Sequence, residues 1–211
     1  MEMITLAMAK GRIANEAISL LENAGILFSD FEDKSRKLIF LDDNRSIKLI
    51  FVKAVDVPTY VELGAADIGV IGKDIMLEDP KDVYELMDLG IGKCKLSVAG
   101  FPDKNLIDRS QLTVASKYPN LAKEYFNQKG IRTKMIKLNG SVELAPLISL
   151  ADCIVDIVET GATLKENGLV VLETITAVSA RLIVNKASFA MKTECIQNFI
   201  SDVKRGLEVY S

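Results

Sequence analysis

The densest run of reactive residue types in the chain is Cys153-Ile154-Val155-Asp156-Ile157-Val158-Glu159-Thr160-Gly161-Ala162-Thr163-Leu164. An apolar strand delivers two carboxylates and then a Thr-Gly-x-Thr turn that opens a helix. The first N–H groups of such a helix are unpaired and its dipole end is positive, which suits a phosphate. Gly161 permits a tight turn and a close approach, and the hydroxyls of Thr160 and Thr163 can donate to phosphate oxygens. Asp156 and Glu159, three apart at the strand end, suit sugar hydroxyls or a magnesium ion. Acids beside a phosphate cradle are what a phosphorylated ribose needs. A plain strand-to-helix turn with Thr163 as N-cap uses the same residues, and this segment alone does not separate the two readings.

Lys10-Gly11-Arg12 is the second candidate, closing one apolar segment and opening a helical one. Two cations at a helix start attract an anion by charge and dipole together, or simply end a strand in solvent. Arg36 and Lys53 are single charges that begin and follow a pair of apolar segments, and Gly69-Val70-Ile71-Gly72-Lys73-Asp74 closes another. Gly90-Ile91-Gly92-Lys93-Cys94 fails as a P-loop: Cys94 stands where Ser or Thr must follow, and no Gly lies five residues before Gly92. No G-x-G-x-x-G with a distant acid and no C-x-x-C pair occurs.

Alternating apolar strands and amphipathic helices position these residues, the pattern of an α/β protein with largely parallel sheets. Residues 3–8 make a first strand, and Ile13, Ala17, Leu20, Leu21 and Ala24 recur at helical spacing before Gly25. Segments 36–41 and 47–52 form a hairpin across Asp42 to Ser46. Asp56 and Pro58 start a short helix, with Asp56 as cap, that ends near Gly64. Residues 67–72 are a strand, and 73–92 a connection. Strands follow near 94–101, 111–116, 131–138 and 152–158, with helices from Pro119 to Gly130 and from Ser141, and then one or two strands over 169–185. Ile196, Phe199, Ile200, Val203 and Leu207 make the stripe of a last helix. Ala66-Asp67-Ile68-Gly69-Val70 and Ala151-Asp152-Cys153-Ile154-Val155 echo each other, which suggests two similar lobes with a cleft between them and ligands at the strand carboxyl ends.

The 211 residues carry 26 Lys+Arg against 29 Asp+Glu, three Cys and no His. Without imidazole there is no Ser-His or Cys-His nucleophile system and no His-ligated metal. The acidic balance disfavours nucleic acid as a partner, and no run of about 18 uncharged apolar residues is present to cross a membrane. Cys94, Cys153 and Cys195 each lie within apolar sequence, which predicts buried thiols in a reducing, cytoplasmic setting.

Taken together, Ala9-Lys10-Gly11-Arg12, Asp56 to Asp74, Lys117-Tyr118-Pro119-Asn120, Asn139 to Pro146, Ala151 to Leu164 and Ser179 to Asn185 resemble, in order, the catalytic subunit of the ATP phosphoribosyltransferase family. The resemblance implies a two-lobed fold like that of type II periplasmic binding proteins. One lobe would comprise residues 1–92 plus 181–211 and the other 93–180 with the phosphoribosyl pyrophosphate loop. It implies transfer of phosphoribosyl from phosphoribosyl pyrophosphate to N1 of ATP, the first step of histidine biosynthesis. Magnesium would be held mainly by substrate phosphates and not by a protein metal site. Site roles follow from the matching positions: the 5-phosphate on Glu159, Thr160, Gly161, Ala162, Thr163 and Leu164, the ribose hydroxyls near Asp156 and Glu159, pyrophosphate toward Lys10 and Arg12, and ATP phosphates on Arg36 and Lys53. With little chain after the last helix, the short family form is implied, working with a regulatory subunit similar to histidyl-tRNA synthetase in a hetero-octamer. The sequence departs from the family at Ser149, where Gly is usual, and at Lys53 and Lys95, where Arg is usual; Lys keeps the charge without the bidentate fork. A non-catalytic two-lobed binder or sensor of a small anion is the competing expectation.

Overall fold

The computed structural model describes residues 2–32, 35–103 and 111–210, the side chain of Tyr210 excepted. In chain order the elements are β1 (Ile4–Met8), α1 (Arg12–Asn23), β2 (Ile39–Leu41), β3 (Ile47–Phe51), a 3-10 turn (Ala54–Asp56) running into α2 (Val57–Glu62), β4 (Ile68–Gly72), α3 (Lys73–Glu78), β5 (Tyr84–Asp88) and β6 (Cys94–Gly100). They continue as β7 (Leu112–Ser116), α4 (Pro119–Gln128), β8 (Thr133–Lys137), α5 (Leu144–Leu147), β9 (Cys153–Val158), α6 (Ala162–Glu166), β10 (Val170–Val178), β11 (Ala180–Val184), α7 (Lys186–Met191) and α8 (Thr193–Tyr210). The chain divides into a first unit of Met1–Met76, Pro80–Gly92 and Ser179–Ser211, and a second of Leu77–Asp79 and Lys93–Val178.

The first unit is built on a six-stranded sheet in the order β2-β3-β1-β4-β11-β5. Ile4, Leu6 and Met8 of β1 enter one apolar cluster with α1 and α8, while Ala7 enters another with Val57 and Val61 of α2, the period-two alternation of a strand covered on both faces. All five residues of β4 are buried for the same reason. A Cβ on Gly206 of α8 would stand 2.6 Å from the Leu20 carbonyl oxygen, so the small residue permits the close approach of α8 to α1.

The second unit holds a five-stranded sheet in the order β10-β6-β9-β7-β8. Leu96, Val98, Leu112, Val114, Cys153 and Val155 pack on one face with Phe126 of α4. Ala99, Ala115 and Ile154 pack on the other with Val142, Ala145 and Leu164. The Ala-Asp echo is a structural repeat. Asp67 accepts the Thr5 N–H at 2.8 Å and donates its own N–H to the Thr5 carbonyl at 2.9 Å; Asp152 does the same with Thr113 at 2.8 and 2.7 Å. In each unit an aspartate thus locks the entry of a central strand to its parallel neighbour, β4 to β1 and β9 to β7.

Several expectations need correction. The sheets are mixed: β3-β1, β1-β4, β9-β7 and β7-β8 are parallel, whereas β2-β3, β4-β11, β11-β5, β10-β6 and β6-β9 are antiparallel. The short loop between β2 and β3 cannot make a parallel crossover, and β10 and β11 enter different sheets. The segment 73–92 contains α3 and β5, and α7 precedes the last helix. Asp56 makes no side-chain cap, because its φ of −93° and ψ of −20° are helical where a capping residue is extended. The helix after Ser141 is only four residues long. No disulfide joins the three cysteines, and only Cys153 is fully buried: Cys94 begins β6 and Cys195 sits in the first turn of α8, both half-exposed. No helix among the described residues is long and apolar enough to cross a membrane.

Candidate active site

Burial fades along β9. Cys153, Ile154 and Val155 are buried, Asp156, Ile157 and Val158 are half-buried, and Glu159 and Thr160 are exposed, so a strand anchored in the core carries its two carboxylates out to solvent. The Asp156 carboxylate accepts the Ile157 N–H at 2.8 Å. Gly161 then adopts φ 74° and ψ 5°, the left-handed region open to glycine, at the N-cap of α6. A Cβ there would lie 3.8 Å from Val158, ordinary contact, so the backbone conformation and not crowding demands glycine. Thr160 Oγ1 accepts the Ala162 N–H at 3.3 Å, bracing the turn. Thr163 is inside the helix and does not cap it. Leu164 is 5% exposed and packs beside Ile154, so its side chain anchors the turn and only its backbone faces outward chemistry.

Ile154, Asp156 and residues 157–164 line a cavity of about 220 Å³ together with Glu143. Glu143 belongs to no site set read from the sequence, although it lies in the matched segment Asn139 to Pro146; its signal was weak because nothing in its spacing ties it to β9. Ser97, opposite Asp156 in the β6–β9 register, is buried with a hydroxyl lacking a partner among the described residues.

The cations picked out from the sequence belong to the first unit, and its topology brings them to one edge. β1 and β3 are parallel and in register from Ile4↔Ile47 to Met8↔Phe51, so Lys10 and Lys53 follow them at the same end of the sheet. β2 runs the other way, and the segment before it returns Arg36 to that edge, where the Phe51 N–H donates to the Leu38 carbonyl at 2.8 Å. Lys10 donates to the Ser35 carbonyl and lies 5.4 Å from the centroid of the Phe51 ring. Arg12, at the first position of α1, pairs with Glu16 at 3.1 Å, and Glu16 in turn accepts the Gly92 N–H at 2.8 Å. Arg36 and Lys53 are exposed. One edge of one sheet therefore presents four cations, and one strand end of the other sheet presents carboxylates beside a Thr-Gly turn.

Comparison with known proteins identifies the family. A family model described as HisG: ATP phosphoribosyltransferase matches residues 53–205. An ATP phosphoribosyltransferase of Oceanobacillus iheyensis is 53% identical over 201 residues, 95% of this chain and 97% of that protein. One from Clostridium acetobutylicum is 52% identical over 97% of this chain and 96% of its own length. Among solved structures, the ATP phosphoribosyl transferase (HisG:HisZ) complex from Thermotoga maritima matches at a TM-score of 0.84 with 32% identity, covering 98% of this chain and 99% of that one. The periplasmic aliphatic sulphonate binding protein SsuA from Escherichia coli matches at 0.62 with 13% identity over 98% of this chain and 73% of its own, a likeness of fold alone. The chain belongs to the ATP phosphoribosyltransferase family.

Proposed function

We propose that this chain transfers the phosphoribosyl group of phosphoribosyl pyrophosphate to N1 of ATP, giving N1-(5-phosphoribosyl)-ATP and pyrophosphate, the first step of L-histidine biosynthesis. The observation that carries the reading is the cavity at the end of β9. A left-handed Gly161 between two threonines opens a helix beside half-buried Asp156, in a member of this family. Adenine N1 has a free lone pair and needs no strong base. It forms the new bond to the anomeric carbon as the carbon–oxygen bond breaks, and pyrophosphate leaves with the electron pair. The protein's work is to hold two polyanions in line and to stabilise the departing charge.

The backbone and hydroxyls of Thr160, Gly161, Ala162, Thr163 and the backbone of Leu164 take the 5-phosphate, and Asp156 and Glu159 accept from the ribose hydroxyls. Lys10 and Arg12 take pyrophosphate, and Arg36 and Lys53 serve the ATP phosphates. In this assignment residues 93–180 form the phosphoribosyl pyrophosphate lobe, and 1–92 with 181–211 the other. Magnesium fits the donors on offer. It accepts one or two carboxylates alongside substrate phosphates, and Asp156 and Glu159 can supply that share. When bound, it masks charge on the leaving pyrophosphate. The Thermotoga maritima HisG:HisZ complex supports a second-subunit partner for this chain. In this reading that partner is a regulatory subunit similar to histidyl-tRNA synthetase, the assembly is a hetero-octamer, and its setting is the cytoplasm.

Incubation with ATP, phosphoribosyl pyrophosphate and magnesium, with and without the synthetase-like subunit, tests the reading through the change in adenine absorbance. Product is expected with the partner present. Binding of both substrates without product under that condition would favour an anion-binding role instead.

A further inference from the structure

The Arg12–Glu16 pair of α1 is tied to a distant part of the chain. Arg12 Nη1 donates to Glu16 Oε1 at 3.1 Å, and the other carboxylate oxygen, Oε2, accepts the N–H of Gly92, 76 residues further on, at 2.8 Å. Gly92 is buried in the connection between β5 and β6, and its surroundings fix where that N–H points. The Ile91 carbonyl before it accepts the Ala180 N–H at 2.9 Å. Gly92 itself has φ +60° and lies so close to α1 that a Cβ would stand 2.9 Å from Ile13 Cγ1, so only glycine fits. Glu16 is thereby anchored to backbone packed against its own helix. Its side chain is 25% exposed against 44% for Arg12: the acid is held in place and the cation reaches outward.

An i, i+4 pair this exposed adds little to stability. A carboxylate beside a cation that takes a polyanion also repels that polyanion. What the arrangement supplies is direction. A guanidinium swings on a long flexible stem, and a bond to an anchored carboxylate removes much of that freedom before substrate arrives. Its several N–H donors allow it to serve Glu16 and an anion at once. We propose that Glu16 is a positioning residue, which holds the Arg12 guanidinium in the orientation that meets the charge developing on the departing pyrophosphate. The inference rests on the phosphoribosyl transfer proposed above and on the place of Arg12 in it, and names what aims that arginine.

The test is a double-mutant cycle on the full chain with the synthetase-like subunit present, using Glu16→Gln, Arg12→Ala and the two combined. Gln keeps the length and keeps the Gly92 bond through its carbonyl oxygen, but turns an amide donor toward Arg12, so it cuts that link selectively. Loss of aim in the transition state predicts that kcat and kcat/KM for phosphoribosyl pyrophosphate fall together by about 3- to 30-fold, with KM within about twofold of wild type. In the Arg12→Ala background the same substitution should change the rate by less than about twofold, because the residue it acts through is gone. A Glu16 that only stabilised the fold would lower the melting temperature and cost activity equally in both backgrounds. Glu16→Asp keeps the charge but is one methylene too short to reach both partners; it should show the same kinetic loss, and it is read instead if Glu16→Gln melts well below the wild type. A rate within about twofold of wild type in the variant read, or a loss as large without Arg12 as with it, overturns the inference and leaves the transfer reading standing. A wild type that forms no product overturns both.

Discussion

At the scale of single residues, Thr163 and Arg12 carry the sharpest consequences. If Thr163 donates to the 5-phosphate and Arg12 to pyrophosphate, Thr163→Ala and Arg12→Ala each lower kcat/KM by about 10- to 1000-fold, the range for donors that strengthen in the transition state. Steady-state rates near wild type in both variants would contradict the assignment. Ser149 makes a different prediction. Its φ of 59° places a non-glycine residue in the left-handed region, which costs an L-residue about 1–2 kcal/mol. Ser149→Gly relieves the strain and loosens the unfolded chain, so thermal melting should show stability raised by up to about 1 kcal/mol with activity retained; a lower melting point would refute this. Asp156 to Leu164 were legible as a candidate site because strand, turn glycine and hydroxyls sit side by side in the chain, and the structure brings them to one cavity. Glu143 was not, because only the packing of Val142 and Ala145 brings it to β9.

Elements were legible where local pattern and tertiary setting agree. β4, α1 and α8 are buried on the faces their apolar residues predict. β5 was missed because none of its five residues is fully buried and it has no clean alternation; it is an edge strand held by charge. Asp88, its last residue, accepts from the Gly90 N–H at 2.8 Å and from Ser179 Oγ, and pairs with Arg181 of β11. Burial by itself would raise its carboxyl, but the hydrogen bonds from Gly90, Ser179 and Arg181 and the charge of Arg181 outweigh it and hold Asp88 below the usual aspartate range. A carboxyl lowered in the folded state adds stability above its unfolded value, near pH 3.9, and loses it as pH falls through the lower folded value. Asp88→Asn should therefore cost stability at pH 7, by no more than about 1 kcal/mol for so exposed a group, and the gap from wild type should close toward pH 3. Urea unfolding at both values checks this, and a gap that widens on acidification would be inconsistent with it. The mixed sheets were illegible for another reason: the direction of β11 depends on where the chain re-enters the first sheet, not on its own residues.

For the whole molecule, the repeat gives the division into units a physical basis. Ile4-Thr5-Leu6-Ala7-Met8 and Leu112-Thr113-Val114-Ala115-Ser116 are central strands with the same inward alternation. Each is locked at its threonine by an aspartate, Asp67 or Asp152. The carboxyl ends of these strands or of their parallel neighbours carry the candidate site residues: Lys10 and Arg12 after β1, and Asp156 to Thr163 at the end of β9. The chain without histidine loses nothing by the omission, since displacement at an anomeric carbon runs on cations, hydroxyls and backbone N–H groups. The most direct measurement of the central claim is the stoichiometry of the reaction with the synthetase-like subunit present, with products identified by mass. One pyrophosphate is expected per ATP consumed, with a product of the mass of phosphoribosyl-ATP. ATP and phosphoribosyl pyrophosphate recovered unchanged, or ATP consumed only to ADP and phosphate, would contradict it.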